Sequence, residues 1–283
     1  MEPAGRLAEA LGAALGPIAV HRFPDGETMP RVSSLVAGGT AVVYRSLDRP
    51  NGKLVDLLLA ADALRRAGAD RLVLVAPYLC YLRQDRVFEP GEPLSRDVIA
   101  PLIAAPFDAV VTVQAHLHRT TDLTAALGAA AINLAAVEPL AAVLPRYPRP
   151  IILAPDAEAA PWAAAWARQL GGDAVALKKI RRGDRKVTLE APEFEPGRPV
   201  LIVDDVASSG ETLLRAVTLA RRKGAASIDV AVVHAMMGAA ATDRIRAAGA
   251  RAVVSSDSIS HPTNRARLAP ILSQAVRQIL DRP

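Results

Sequence analysis

A buried strand that stops at two carboxylates constrains the fold of this chain more than any other feature. Residues 200–212 read Val-Leu-Ile-Val-Asp-Asp-Val-Ala-Ser-Ser-Gly-Glu-Thr. The short, continuous apolar run at residues 200–203 is typical of a strand covered on both faces, and such strands belong to parallel sheets. Because ligands bind outside the carboxyl ends of parallel strands, the sequence predicts a binding site directly after this run.

The residues that follow have the chemistry of a sugar-phosphate site. Asp204 and Asp205 can accept hydrogen bonds from a sugar diol or hold Mg²⁺. The next residues offer hydroxyls and backbone N–H groups ahead of a helix, whose N-terminus favours phosphate. The alternative is an ordinary strand-to-helix turn with an aspartate cap. The candidate loop residues are Ser208, Ser209, Gly210, Glu211 and Thr212.

The rest of the chain alternates helical and strand-like segments, which predicts an α/β fold. Residues 54–66 have the pattern of an amphipathic helix that ends at Gly68. Polar residues follow each predicted strand, so we expect the chemistry to collect at one edge of a sheet. The predicted strands lie at residues 71–76, 108–113 and 151–154.

Two segments resemble each other and suggest a duplicated domain. Residues 63–78 and 219–234 share a helix end, a pair of arginines, a glycine and the following strand. Such joins recur in many α/β proteins, so this similarity alone leaves duplication open. A chain of 283 residues has room for two domains, and three prolines at 145–150 interrupt regular structure. We therefore predict domains at residues 1–145 and 146–283.

Composition excludes several classes of protein. Cys80 is the only cysteine, so an intrachain disulfide is impossible and a reducing cytoplasm is expected. No apolar stretch is long enough to span a bilayer. Leu7, Leu11 and Leu15 predict an amphipathic helix at residues 1–16 instead of a signal peptide. The net charge of +5 comes from scattered arginines, which fits small anionic substrates better than nucleic acid.

Two polar loops in the first half could bind a nucleotide. Phe23 could stack on a base, and Asp25 and Glu27 could accept hydrogen bonds from an exocyclic amine or a ribose. Arg83 and Gln84 could grip a polyphosphate, a task that suits the arginine fork. Alternatively, the Asp-Gly pair is only a turn and the Arg-Gln-Asp-Arg run only a solvated loop. The candidate residues are Phe23, Asp25, Gly26, Glu27, Arg83, Gln84 and Asp85.

Two residues at strand ends are candidate metal ligands. His116 follows the strand at 108–113 and could bind Mg²⁺ or phosphate, or be only a hydrogen-bonded surface histidine. Asp156 follows the strand at 151–154 and could complete a metal site with Asp204, or be only a turn aspartate.

A basic run at residues 178–186 contains Lys179 and Arg181. Charge runs of this kind commonly form solvated hairpin tips. The functional interpretation is a cationic flap that closes on transferring phosphates, where negative charge spreads in the transition state.

In this order, the segments resemble the ribose-phosphate pyrophosphokinase family, also called phosphoribosyl pyrophosphate synthetases, from about residue 7 to residue 275. Members carry a Phe-x-Asp-Gly-Glu loop, a Tyr-x-x-Arg-Gln-Asp segment, a histidine after a central strand, a Pro-Asp turn, a Lys-x-Arg flap and an Asp-Asp ribose-phosphate loop. Either Tyr78 or Tyr81 fills the family's tyrosine position. The resemblance implies an α/β fold of two phosphoribosyltransferase-like domains, each with a mostly parallel sheet flanked by helices.

The resemblance implies an enzyme, a ribose-phosphate diphosphokinase. It would transfer the diphosphoryl group of ATP to the 1-hydroxyl of ribose 5-phosphate, giving phosphoribosyl pyrophosphate and AMP. It implies a cytoplasmic homo-oligomer in nucleotide biosynthesis, without nucleic-acid or membrane partners. The implied roles are ATP binding by the two first-half loops, Mg²⁺ binding by His116 and Asp156, transition-state stabilisation by Lys179 and Arg181, ribose positioning by Asp204 and Asp205, and 5-phosphate binding by residues 208–212.

Several residues depart from the family pattern, among them the Ala157-Glu158-Ala159 continuation of the Pro-Asp turn, where a glycine-containing turn is common. Gln114 stands where a carboxylate is common, two residues before the metal-binding histidine, which weakens any second metal contact from that strand. Ser208 stands where a third acidic residue often occurs, a feature of the archaeal-type branch. Glu211 replaces a usual glycine and adds negative charge beside the phosphate, so we expect its side chain to point away from the ligand.

Two other functions are consistent with parts of the sequence. A nucleobase phosphoribosyltransferase would share residues 204–212, but it has no need for the nucleotide loops or the flap. A catalytically silent regulatory homologue is suggested by Gln114 and Glu211, and the presence of Lys179 and His116 argues against it.

Overall fold

The computed structural model describes residues 2–33, 38–87, 89–117, 122–157, 159–182, 186–190 and 195–281, with the backbone alone for 178–182 and 186–190. The helices are α1 (Pro3–Leu11), α2 (Pro50–Arg66), α3 (Ser95–Ala104), α4 (Leu123–Leu127), α5 (Val137–Ala141), α6 (Ala160–Leu170), α7 (Glu211–Arg222), α8 (Ala239–Ala247) and α9 (Ala269–Leu280). The strands are β1 (Ile18–Arg22), β2 (Thr28–Val32), β3 (Gly39–Tyr44), β4 (Ala69–Ala76), β5 (Ala109–Val113), β6 (Ala130–Leu134), β7 (Ile151–Ala154), β8 (Asp173–Ala176), β9 (Lys178–Arg182), β10 (Lys186–Glu190), β11 (Pro199–Ala207), β12 (Ser227–Ala235), β13 (Ala252–Ser256) and β14 (Asn264–Ala266).

The chain forms two compact units whose limits differ from the predicted ranges 1–145 and 146–283. Unit 1 comprises Met1–Ala135 and Leu268–Pro283, and unit 2 comprises Ala136–Arg267. The difference at the carboxyl end arises because α9 packs with α1, β5 and β6 of unit 1. The last helix therefore belongs in space with the first half of the chain, which no local sequence signal indicates.

Unit 1 is built on a parallel sheet with the strand order β3-β4-β5-β6. The central strand β4 is completely buried from Leu72 to Ala76. Strands β1 and β2 form a separate antiparallel hairpin, and β2 packs on α2. The amphipathic helix predicted at residues 1–16 is shorter than expected, since α1 ends at Gly12, which adopts a φ of 69°. Leu15 lies outside the helix and is exposed.

Unit 2 is built on a larger parallel sheet with the strand order β14-β13-β12-β11-β7-β8. Strand β11 lies between β12 and β7, and residues 200–203 are completely buried. Side chains from α7 and α8 cover the sheet and form one core with it. The predicted buried strand is therefore a central strand, and its carboxyl end lies between β12 and β7.

These two parallel sheets flanked by helices confirm the predicted fold class. The similar segments 63–78 and 219–234 adopt the same helix–glycine–strand path, α2 to β4 and α7 to β12. Gly68 and Gly224 both adopt a positive φ at the turn, 94° and 78°. Among the described residues we find no helix with the length and hydrophobicity required to cross a membrane.

Candidate functional site

Asp204 and Asp205 lie within strand β11 and not after it. The strand continues to Ala207 because its backbone keeps pairing with β12, with Val206 opposite His234. Burial raises the pKa of the Asp204 carboxyl, and the neighbouring carboxylates of Asp205 and Asp156 raise it further. The site thus concentrates negative charge at a partly buried position, which favours a cation or a hydrogen-bond donor as its ligand.

Asp156 reaches this cluster from the adjacent strand. It follows β7, which pairs directly with β11, and its charge acts on Asp204. Its Oδ1 accepts a hydrogen bond from the backbone N–H of Ala159 at 3.0 Å, at the start of α6. Asp156 therefore combines the turn role and the proximity to Asp204 that the sequence suggested as alternatives.

The loop between β11 and α7 is supported by the residues that directly follow β12. The backbone N–H groups of Met236 and Met237 both donate to the Ala207 carbonyl at 2.9 Å. Gly210 adopts a φ of 78°, and a Cβ there would lie 3.3 Å from the Met237 sulfur. Ser208 and Ser209 remain exposed just ahead of the helix N-terminus. The loop therefore presents hydroxyls and N–H groups to solvent from a tightly packed base.

Glu211 is the first residue of α7, and its side chain is directed at α8. Its Oε1 lies 2.6 Å from the Nη1 of Arg244. The extra negative charge therefore has a cationic partner, which gives a physical reason why a carboxylate is tolerated next to the loop.

Residues 178–190 form an antiparallel hairpin of β9 and β10. Lys179 pairs with Leu189 and Arg181 with Val187 in the backbone register. Both candidate residues therefore lie on β9, and residues 183–185 are outside the described residues.

In unit 1, residues 23–27 form the exposed tip of the β1–β2 hairpin. The Phe23 N–H donates to the Glu27 carbonyl at 2.9 Å, and the Gly26 N–H donates to the Phe23 carbonyl at 3.0 Å. The Asp25 Oδ1 accepts from the Glu27 N–H at 3.0 Å. Gly26 has a φ of 96°, a conformation that favours glycine. The Phe23 ring packs edge-on against His21 and stays 39% exposed, so it is available for stacking.

The second candidate loop of unit 1 follows β4. Both polar atoms of the Gln84 amide form hydrogen bonds. Its Nε2 donates to the Pro93 carbonyl at 2.9 Å, and its Oε1 accepts from the Ser95 hydroxyl. Gln84 therefore ties its loop to the start of α3, while the neighbouring Arg83 is exposed. Asp85 is partly buried. The Tyr81 hydroxyl donates to Asn51 at 2.6 Å, whereas Tyr78 is buried.

His116 lies just beyond β5, next to the strand that precedes residues 83–85. The chain turns at Gln114, which has a φ of 44° and donates its N–H to the Leu134 carbonyl at 2.7 Å. Unit 1 thus places His116 and residues 83–85 after neighbouring parallel strands, while residues 23–27 lie on a separate hairpin.

The acidic side chains of the described residues could supply part of a magnesium site. No three His, Cys, Asp or Glu residues in the described part of the chain converge as a preformed metal cage. Mg²⁺ commonly uses one or two carboxylates and takes its other ligands from substrate oxygens and water. Asp156 and Asp204 fit that role, because they are hard oxygen donors whose negative charges act on each other. The candidate His116 belongs to unit 1 and these carboxylates to unit 2.

Sequence reasoning missed the residues that support the loop. Met236 and Met237 carry no charge or motif, and they contact the loop through backbone groups and a buried thioether. Arg244 was missed as well, because it lies far from Glu211 in sequence and the packing of α8 against α7 brings it close. Only the tertiary structure reveals these contacts.

Comparison with known proteins agrees with this architecture over nearly the whole chain. Residues 2–106 match the N-terminal domain of ribose phosphate pyrophosphokinase, and residues 126–258 match the phosphoribosyl transferase domain. The ribose-phosphate pyrophosphokinase of Methanopyrus kandleri is 34% identical over 279 residues, which are 97% of this chain and 94% of that protein. The chain belongs to the ribose-phosphate pyrophosphokinase family.

Other relatives extend this similarity. The ribose-phosphate pyrophosphokinase of Halobacterium salinarum is 34% identical over 279 residues, covering 96% of both proteins. The crystal structure of phosphoribosylpyrophosphate synthetase from Mycobacterium smegmatis superposes with a TM-score of 0.87 and 25% identity, covering 99% of this chain and 95% of that one. The family predicted from the sequence motifs is therefore confirmed, and it is a family of enzymes.

Proposed function

We propose that this chain is a ribose-phosphate diphosphokinase. It would transfer the diphosphoryl group of ATP to the 1-hydroxyl of ribose 5-phosphate and release phosphoribosyl pyrophosphate and AMP. The observation that carries the proposal is the carboxyl end of β11, where a carboxylate cluster and an exposed hydroxyl loop lie side by side. The match of residues 2–106 to a domain named for this kinase supports ATP as the second substrate.

In unit 2, the acceptor sugar would bind at the end of β11. Asp204 and Asp205 would accept hydrogen bonds from the ribose hydroxyls and so orient the sugar. Residues 208–212 would bind the 5-phosphate through hydroxyls and N–H groups at the start of α7. Lys179 and Arg181 of the β9–β10 hairpin would offset the charge that develops on the transferring group.

In unit 1, the exposed residues of the two loops would bind ATP. Phe23 would stack on the base, and Asp25 and Glu27 would accept from the nucleoside. Arg83 would bind phosphate oxygens, and Gln84 would keep its loop fixed to α3 in addition to any contact with ATP. Gly26 would supply the turn, and Asp85 would complete the loop.

We also propose Mg²⁺ as the metal. His116 and Asp156 remain the proposed ligands, with Asp204 close to Asp156. When bound, the ion would neutralise charge on the phosphate oxygens of ATP. A cytoplasmic homo-oligomer in nucleotide biosynthesis completes the proposal, with ATP and ribose 5-phosphate as its small-molecule partners.

One assay tests the proposal. Purified protein is incubated with ATP, Mg²⁺ and ribose 5-phosphate, and AMP and the diphosphate sugar are measured together. We expect both in equal amounts, and no AMP when ribose 5-phosphate is omitted. Phosphoribosyl pyrophosphate with a nucleobase forms the second arm. Nucleotide formation there without AMP formation in the first arm would identify a phosphoribosyltransferase, and inactivity in both arms would favour the silent homologue.

The Lys179→Ala variant tests the role of the hairpin. Because Lys179 should act mainly in the transition state, we expect kcat to fall about 10²-fold with little change in ATP affinity. An unchanged kcat would remove Lys179 from the mechanism.

A further inference from the structure

Met237 is the residue on which the sugar-phosphate loop rests. It is 2% exposed, its N–H donates to the Ala207 carbonyl, and its sulfur packs against Gly210. Any shift of Met237 would therefore move the base of the loop at residues 208–210. What holds Met237 in place decides how well the loop is positioned.

The Met237 carbonyl is held by His261, which lies between β13 and β14. The His261 Nε2 is 2.8 Å from the Met237 oxygen. A carbonyl oxygen can only accept, so Nε2 must carry the proton and donate. In the neutral ring Nδ1 is then an acceptor, and it lies 2.6 Å from the Thr263 hydroxyl and 3.3 Å from the Thr263 N–H.

This assignment sets the direction of a buried chain of hydrogen bonds. Since the Thr263 hydroxyl donates to His261, it must accept from the Ser255 hydroxyl, 2.7 Å away. Ser255 in turn accepts from the Nδ2 of Asn264 at 3.0 Å. The Asn264 Oδ1 accepts from the His261 N–H at 2.9 Å, which fixes the orientation of the amide. Ser255 and Thr263 are 0% and 1% exposed, so the bond between their hydroxyls is shielded from water, while His261 and Asn264 are partly buried.

We propose that His261 is a positioning residue for binding of the ribose 5-phosphate, acting through Met237 on the loop at residues 208–212. This inference rests on the proposed function, because that loop is the proposed phosphate site. His261 itself does not touch the loop. It links the carboxyl end of β12 to the rigid network of β13 and β14, and that link prevents the loop from moving away from its ligand.

The proposal predicts a selective effect on the sugar phosphate. Replacing His261 with leucine removes the donor and leaves the Met237 carbonyl and the Thr263 hydroxyl without their partner. A loop displaced by a fraction of an ångström would bind phosphate less well in both the ground and the transition state. We expect the KM for ribose 5-phosphate to rise about tenfold in His261→Leu, with kcat and the KM for ATP changed by less than about twofold.

Two further variants make the test specific. His261→Gln keeps an N–H donor in the place of Nε2 and should restore the KM to within about threefold of the wild type. Tyr147→Phe is the matched control, because it removes one hydrogen bond, at 2.8 Å to Asp229, from the amino end of the same strand β12. It should leave both KM values unchanged.

The outcomes separate this inference from the proposed function. A tenfold rise confined to ribose 5-phosphate, with rescue by glutamine, supports it. Equal changes in both KM values, no change in His261→Leu, or a shift in melting temperature alone would overturn it. If His261→Leu does not fold, Thr263→Val, which removes the hydroxyl facing Nδ1, must show the same selective rise, and no rise there overturns the inference.

If the wild type forms no AMP, the proposed function fails and calorimetric binding of ribose 5-phosphate decides the role of His261. Weaker binding by His261→Leu than by the wild type then supports the inference. Equal binding, or no binding by the wild type, overturns it.

Discussion

Two carboxylates of the unit 2 sheet have opposite surroundings: Asp229 near the amino end of β12 and Asp204 near the carboxyl end of the adjacent strand β11. At the amino end, Asp229 is completely buried and receives Nε and Nη2 of Arg251 at 3.1 and 2.5 Å, with the Tyr147 hydroxyl at 2.8 Å. At the carboxyl end, the Asp204 carboxyl has other carboxylates as its neighbours, and its pKa is raised by burial and by them. The Asp229 carboxylate thus has a cation and a hydroxyl as partners within the protein, whereas the neighbours of Asp204 add further negative charge.

This difference suggests that Asp229 contributes to the stability of the sheet and Asp204 to ligand binding. The Asp229 carboxylate raises the pKa of Arg251 through a hydrogen bond and through its charge, which means that the contact stabilises the charged guanidinium. In the Asp204 cluster the effects that raise the pKa of the Asp204 carboxyl, burial and the charges of Asp205 and Asp156, outweigh the hydrogen bond from the Asp205 backbone that lowers it, so a cation or donor would stabilise the charged form. Substitutions at the two ends should therefore have effects of opposite kind.

The largest effect is expected at the carboxyl end, for Asp204→Asn. Loss of the carboxylate should lower kcat/KM for ribose 5-phosphate about 10²–10³-fold, because an amide orients the sugar and the metal less well. The same change should leave the free energy of unfolding equal or higher, since a buried like-charge contact is removed. Steady-state kinetics and urea unfolding measure the two quantities. A less stable variant would mean that the cluster contributes to folding after all.

At the amino end we expect the reverse, for Asp229→Asn. The variant should lose about 2–3 kcal/mol of unfolding free energy, because Arg251 loses its anionic partner beside a buried group. The half-exposed Arg251 keeps its contact with water, which limits the loss. Urea unfolding gives the stability, and the specific activity of the folded fraction should equal that of the wild type. A large rise in KM or a large fall in kcat would show that the two ends are coupled.

A smaller effect is expected for Gly210→Ala in the loop. Its φ of 78° and the Ala241 Cβ at 3.2 Å from the new methyl predict a loss of about 1–2 kcal/mol in unfolding free energy. A weaker affinity for ribose 5-phosphate should accompany it. Gly52→Ala is the matched control, because Gly52 lies in α2 with nothing within 4 Å of a Cβ. The control should keep wild-type affinity with equal or higher stability, because alanine favours the helix more than glycine does, and equal losses in both variants would contradict the steric argument.

The smallest effect is a pH dependence. The folded-state pKa of Asp204 lies above the ordinary aspartate value of about 3.9. The protonated Asp204 carboxyl therefore contributes its full stabilisation below pH about 3.9, the ordinary aspartate pKa, and this stabilisation is lost as the pH rises to the folded-state pKa. The unfolding free energy of the wild type, measured relative to Asp204→Asn, should fall across this window and stay level above it. A rise over the same window would mean that the carboxylate has a cationic partner.

The sequence predicted the features that depend on neighbouring residues. The run at residues 200–203 predicted a buried parallel strand, because a short, continuous apolar segment rich in β-branched residues is typical of one. The binding role of the next two carboxylates stays a prediction. The strand continues to Ala207 because backbone pairing with β12 outweighs the polar side chains, and the sequence gives no sign of that pairing. The contacts Glu211–Arg244 and His261–Met237 also join distant residues, so only the fold reveals them.

The return of α9 to unit 1 has a consequence for synthesis of the protein. Unit 2 is continuous in sequence, whereas unit 1 needs residues from both ends of the described chain, and the Arg277 Nη2 donates to the Ala10 carbonyl at 2.6 Å. Domains generally fold as units while the chain is being made. The ribosome therefore delivers every residue of unit 2 before unit 1 has its last helix, and a chain interrupted near residue 268 would leave the earlier-made unit incomplete.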